Sequence, residues 1–130
     1  MKEPSGVSPA LIAVAVATFT LGVPAASAAP LPTRLGQCSV TRVKQVETRL
    51  EGMPNSGSAI TYENGGYQVS YDMIPAIEAS RPGDPVRVCL VSIPEHCPPG
   101  DARGRVYRAT NLRSKGTWKA PDAEHSCGGA

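Results

Sequence analysis

The stretch "SGSAITYENGGYQVSYD", Ser56 to Asp72, decides the fold class. Two short runs rich in β-branched and aromatic residues flank Asn64-Gly65, and apolar and polar residues alternate along them. Asn-Gly suits a two-residue type I′ turn, whose central residues both take positive φ. That turn sets Glu63 opposite Gly66, Tyr62 opposite Tyr67, Ile60 opposite Val69 and Ser58 opposite Tyr71. One face of the hairpin then carries Ile60, Tyr62, Tyr67, Val69 and Tyr71. The other carries Ala59, Thr61, Glu63, Gln68, Ser70 and Asp72. On this register the tyrosines pack at the edge of a core rather than forming a ligand platform.

Upstream, "VTRVKQVETRL" (Val40 to Leu50) is ambiguous. Val40, Val43, Val46 and Leu50 have helical spacing, but the density of Val and Thr favours a strand. A long, bent strand is the preferred reading and a helix the alternative. Downstream, "MIPAIEAS" forms one helical turn or a short strand, and "RPGD" forms a turn with Pro82 in its second position. "PVRVCLVSI", Pro85 to Ile93, reads as a central strand, with apolar residues on both faces implying burial on both sides. "GRVYRAT" is the next strand, "NLRSKG" turns the chain and "TWKA" returns it. The sum is an all-β fold, a small barrel or sandwich of five or six strands.

Residues 1–28 read as a signal peptide. The apolar run "ALIAVAVATFTLGV", Ala10 to Val23, is shorter than the ~20 residues that span a bilayer. Ala26-Ser27-Ala28 fits the small-x-small cleavage pattern and predicts Ala29 as the mature N-terminus. A lipid anchor is disfavoured because Gln37, rather than a small residue, precedes Cys38. Residues 29–37 read as an extended N-terminal arm and residues 38–130 as one small β-rich domain. Glycine and proline number 13 each and are spread through the chain, which favours short strands and turns. The formal charge is only +2, with no basic block and little aromatic interleaving. A nucleic-acid partner is therefore unsupported.

All four cysteines follow the cleavage motif. An even count in a small exported chain points to two disulfides. Two pairings stay open. If "GRVYRAT" and "TWKA" form a hairpin, the tail "HSC" returns toward "HCPPGD", so that Cys97 meets Cys127 and Cys38 meets Cys89. The competing pairing joins Cys89 to Cys97 across "LVSIPEH", and Cys38 to Cys127. The first is favoured.

"SGSAITYENGGYQVSYD", "GDPVRVCLVSIP", "CPPGD" and the ending "TNLRSKGTWKAPDAEHSCGGA" resemble a group of short exported proteins of alphaproteobacteria, the rhizobia and their relatives. The resemblance covers most of the chain after residue 28. It implies export and a compact disulfide-bonded domain, and it supplies no catalytic residue. A second similarity is to periplasmic lysozyme inhibitors, which are small disulfide-bonded β-barrels. It rests on "SGSAITY" and on size, compartment and strand content, while the aromatic–Lys–Gly segment of that class is absent from "GGYQVSYD".

The two His–Cys coincidences invite a chemical reading. His96, Cys97, His125 and Cys127 have the composition of a tetrahedral zinc site, but their spacing matches no common pattern, and an oxidising compartment removes the thiolates. A Cys–His nucleophile needs a free thiolate, and four paired cysteines leave none. No Gly-x-Ser-x-Gly elbow is present, and an Asp122–His125 pair is less economical than a simple Asp/Pro loop. No phosphate cradle or dinucleotide fingerprint occurs, and no cofactor or metal is expected. Pro98, Pro99, Asp101, Arg103 and Arg105 make a candidate recognition loop that Pro98 and Pro99 rigidify, against the simpler and favoured reading of a connection between two strands. The expected function is a periplasmic or secreted binding or inhibitor module acting on an envelope protein or polymer, with no membrane span after processing. The alternative is a small hydrolase or zinc protein using His96 and His125.

Overall fold

The computed structural model of the chain describes residues 2–22 and 29–129. The cleavage motif Ala26-Ser27-Ala28 lies outside the described residues. Residues 2–22 carry no helix or strand, and Leu11, Val14, Phe19 and Leu21 are exposed. No helix among the described residues is long and apolar enough to cross a membrane.

Strands β1 (Cys38–Thr48), β2 (Ser58–Tyr62) and β3 (Tyr67–Ser70) precede a one-turn helix α1 (Pro75–Glu78). Strands β4 (Pro85–Ser92), β5 (Val106–Asn111) and β6 (Thr117–Pro121) follow it. All six strands form one antiparallel sheet in the order β3-β2-β1-β4-β5-β6. The sheet curls into a half-barrel whose edge strands β3 and β6 approach each other without forming a ladder. The all-β architecture follows the sequence reading, and "MIPAIEAS" resolves to the helical turn.

Strand β1 holds the sheet together. Its first half pairs with β4, from Cys38↔Cys89 to Arg42↔Pro85, and its second half pairs with β2, from Val43↔Tyr62 to Thr48↔Ser58. A bulge between Val43 and Gln45 bends it. The bulge also explains the helical spacing in the sequence. Thr41 and Val43 face inward and, past the extra residue, Val46 does so again, so Val43 and Val46 share a face at a separation of three. Val40, read as part of the same apolar stripe, points outward and is 50% exposed.

The β2–β3 hairpin forms in a different register from the one the Asn-Gly rule dictates. Thr61 pairs with Tyr67, Ile60 with Gln68, Ala59 with Val69 and Ser58 with Ser70. The turn encloses three residues, not two. Gly65 N–H donates to the Tyr62 carbonyl (3.0 Å), and Tyr62 N–H donates to the Gly66 carbonyl (2.8 Å). Only Gly65 takes positive φ (86°), so this is a type I turn closed by a glycine bulge, the next most common hairpin solution. The Asn64 side chain fills the gap left by the bulge, its Oδ1 accepting from Gly66 N–H (3.1 Å). A one-residue slip exchanges the faces of the second strand. Gln68 therefore joins Ile60 and Tyr62 inside, while Tyr67 and Tyr71 lie on the other face, Tyr67 half-buried and Tyr71 57% exposed.

The core comprises Val43, Ile60, Tyr62, Ile77, Val86, Val88, Leu90, Tyr107, Ala109 and Trp118. Each fully buried aliphatic side chain contributes roughly 1.5–3 kcal/mol. Strand β4 lies mid-sheet as read, but only one of its faces is buried: Val86, Val88 and Leu90 point in, whereas Arg87 is exposed and Cys89 and Val91 are half-buried. The outer apolar residues of that strand serve a disulfide and a bulge, not a second layer. Residues 29–37 dock on the domain. Gly36 N–H donates to the Leu90 carbonyl, Leu90 N–H to the Gln37 carbonyl, and Asn64 Nδ2 to the Ala29 carbonyl. Pro32 is fully buried, and Leu31 packs against the core and lies over Gly66 and Tyr62.

Candidate functional site: a loop locked to the C-terminal tail

The favoured cysteine pairing is the one formed. Cys38 is bonded to Cys89 (S–S 2.04 Å) and Cys97 to Cys127 (2.06 Å). The first bridge joins directly opposed residues of β1 and β4. The second fixes the loop after β4 to the tail after β6. The β5–β6 hairpin delivers the tail to that place: Val106 pairs with Pro121, and Asp122 N–H then donates to the Arg105 carbonyl (2.9 Å).

Asp101 organises the loop. Its carboxylate accepts from Arg103 Nε (3.0 Å), Arg103 Nη2 (2.9 Å), the Arg103 backbone N–H (3.2 Å) and the Gly128 N–H of the tail (3.0 Å). The Arg103 guanidinium, followed by the Gly128 N–H, holds this carboxyl well below the usual range. Arg103 also donates to the Gly129 carbonyl (3.1 Å), and its own carbonyl accepts from Cys127 N–H (2.9 Å). Gly104 takes φ 102°, and a Cβ there would lie 2.9 Å from Ser126 Cα, so the tail packs directly on its backbone. The Gly104 N–H donates to Asp122 Oδ1 (2.7 Å).

The candidate residues are thus brought together, in unequal roles. Asp101 and Arg103 hold the loop to the tail. Pro98 and Pro99 are exposed at its tip, with His96 and His125 exposed nearby in sequence, and Arg105 is half-buried. Arg105, Asp101, Ala102, Cys97, Pro94 and Ile93 line an open depression of about 170 Å³. The zinc reading does not assemble, because Cys97 and Cys127 spend their sulfurs on each other. Among the described residues no group of three or more His, Cys, Asp or Glu could hold a metal ion. Asp122 and His125 share no hydrogen bond among the described residues, and the Asp122 carboxylate serves Gly104 instead.

Three polar arrangements were not foreseen. Gln68, 1% exposed, sits at the centre of the core, with all four hydrogen-bonding positions of its amide used. Its oxygen accepts from Tyr62 Oη and Trp118 Nε1 (3.0 Å), and its nitrogen donates to the carbonyls of Tyr107 (2.8 Å) and Ala120 (3.0 Å). The partners fix its orientation, since an indole N–H only donates and a carbonyl only accepts. Gln68 thereby ties β3 to β5 and β6 across the open seam of the half-barrel. A second cluster joins the two turn regions at one end. Asp84 accepts from Arg113 Nε (2.7 Å), Asn111 Nδ2 (2.8 Å) and Arg81 N–H (2.9 Å), and Asn111 also donates to Ser80 Oγ. The third centres on Arg49, which donates to the Ser56 carbonyl, pairs with Glu124 (2.9 Å) and lies over the Tyr71 ring at 4.3 Å. Open depressions of about 310 and 210 Å³ flank it. The missed signal for Gln68 was Gly65, which can hold the single left-handed position of a three-residue turn as well as the second position of a two-residue one.

Compared with protein-family models, with curated proteins and with solved structures, the chain shows no match.

Proposed function

We propose that the chain is exported and that its domain is a binding or inhibitor module of the cell envelope, using the loop–tail surface around Pro98 and Pro99. One observation carries this reading: the Cys97–Cys127 bridge and the Asp101 hydrogen bonds fix an exposed, proline-rich tip in place before any partner arrives. A surface already ordered loses little entropy on binding. Export is supported by the two disulfides, which persist in oxidising compartments. Both candidate nucleophilic thiols near the histidines are oxidised, which favours recognition over catalysis.

The test is site-specific photocrosslinking in the intact envelope, with the probe at Pro99 or, as a control, at Glu78 on the far helix. One discrete adduct is expected from Pro99, lost when Asp101→Ala frees the loop. Equal adducts from both positions, or none from Pro99, would refute the reading. N-terminal sequencing of the exported protein should begin at Ala29, and a chain still starting at Met1 would refute export with processing.

A further inference from the structure

The outer face of the sheet carries an uncompensated row of cations. In β4, β5 and β6 alternate residues point away from the core. The outward positions are Pro85, Arg87, Cys89 and Val91 on β4, Val106, Arg108 and Thr110 on β5, and Thr117, Lys119 and Pro121 on β6. Arg87, Arg108 and Lys119 are all exposed. Arg108 and Lys119 are directly opposed in the ladder. Arg87 lies diagonal to Arg108, because Arg108 pairs with Cys89 and Arg87 with Thr110. Opposed residues lie about 5 Å apart and diagonal ones about 7–8 Å. On the next strand Arg42 is also exposed and faces outward, beside Pro85.

No carboxylate occupies any outward position of these ladders. The ion pairs among the described residues are Arg49–Glu124, Arg103–Asp101 and Arg113–Asp84, all elsewhere. Among the described residues Arg87, Arg108 and Lys119 make no side-chain hydrogen bond. Like charges directly opposed on a sheet destabilise it, so this row works against folding and serves nothing inside the domain. Its chemistry suits anionic oxygens, since guanidinium groups match phosphate with paired hydrogen bonds. The row lies on a regular sheet face rather than in a depression. Exposed aliphatic side chains adjoin it: Val40 (50% exposed) is opposite Arg87, and Leu35 (63%) and Ile93 (38%) lie at the Cys38–Cys89 end. Cations beside exposed aliphatics fit a lipid surface better than a soluble polyanion, because only the lipid surface offers apolar depth beneath the phosphates.

We propose that the outer face of β4, β5 and β6 docks on an anionic lipid surface, with Arg87, Arg108 and Lys119 contacting headgroup phosphates and Val40 and Leu35 reaching below them. This face meets the loop–tail surface only at Ile93, which the proposal does not use, and neither reading rests on the other. The test uses the chain from Ala29, which contains every strand, the core and both disulfides. Sedimentation with vesicles of equal phosphatidylglycerol and phosphatidylcholine should carry the protein down, and vesicles of phosphatidylcholine alone should not. Each basic residue at such a surface contributes about five-fold to partitioning, so Arg108→Gln with Lys119→Gln should lower it roughly 30-fold. Melting of that double variant should be unchanged or slightly raised, which separates lost docking from lost folding. Val40→Ser with Leu35→Ser should weaken sedimentation further. Vesicle binding that ignores the double variant would overturn the proposal. So would equal binding to soluble dextran sulfate with no effect of the aliphatic changes, which would make the face a polyanion site.

Discussion

Gln68 shows how one side chain can set both register and closure. It is the only side chain bonded at once to β2, β5 and β6 among the described residues. Removing it leaves the Tyr62 hydroxyl and the Trp118 indole N–H buried without partners, and each orphan costs about 1–3 kcal/mol. Gln68→Ala should therefore lower stability by about 3 kcal/mol or more in urea unfolding followed by Trp118 fluorescence, and a loss below about 1 kcal/mol would show that the seam closes without it. Asp84 acts at the same scale with a pH signature. The hydrogen bond from Arg113 holds its carboxyl below the usual range against the opposing effect of burial, helped by Asn111 and the Arg81 N–H. A depressed folded pKa gives stability that is complete above the unfolded value, near 4, and that drains away as pH falls toward the folded value. Asp84→Asn should cost about 2 kcal/mol at neutral pH, and the gap from wild type should narrow below about pH 4. A gap that stays constant down to pH 2 would exclude this ion pair as its source.

At the scale of elements, turns and bridges do most of the specifying. Gly65 is the one residue of its turn in the left-handed region, where a β-branched side chain is strained. Gly65→Val should cost more than about 1 kcal/mol in thermal melts. The Cys97–Cys127 bridge closes a loop and a tail that have little core of their own. Cys97→Ser should cost roughly 2–5 kcal/mol, while His96→Ala, at an exposed site with positive φ (59°), should cost less than about 1 kcal/mol. The two variants measured side by side distinguish a staple from a chemical His–Cys pair. Much of this was legible in the chain. Strand number, the Arg81–Asp84 turn and the delivery of the tail to the Cys97 loop all follow from alternation, Pro/Gly punctuation and hairpin geometry. The bent strand read for Val40 to Leu50 is the one formed, so one ambiguity and one error share a physical origin, an extra residue in a strand. The bulge in β1 made a strand resemble a helix, and the bulge at Gly65 moved Gln68 from the solvent face into the core. A single inserted residue changes a face without changing composition, so local pattern alone does not reveal it. Nor did the sequence announce which of the loop charges would be consumed within the loop, because Asp101 finds Gly128 only after the tail has come back.

On the scale of the whole molecule, the half-barrel has a filled interior and presents its distinguishing features outside. The stapled tip around Pro99, the Arg49–Tyr71 stack and the cationic outer face occupy different parts of one small surface. The N-terminal arm adds a constraint on this arrangement. Pro32 and Leu31 bury against the domain, and Ala29 is held by the side chain of the hairpin turn. The disulfides, finally, join the first cysteine to the second and the third to the fourth in chain order. If the chain is exported as proposed, it emerges from a pore N-terminus first and offers its thiols in that sequence, so an oxidant that simply joins each newly exposed pair makes both native bridges. Cys38 waits for Cys89, the two are aligned as soon as β4 lies down beside β1, and Cys97 then has only Cys127 left. This order leaves no mispaired intermediate that must be undone. Cells lacking a disulfide isomerase but keeping their dithiol oxidase should therefore yield as much correctly bridged protein as the parent strain, and a yield that collapses without the isomerase would mean that Cys89 is captured first by Cys97, its neighbour in the chain.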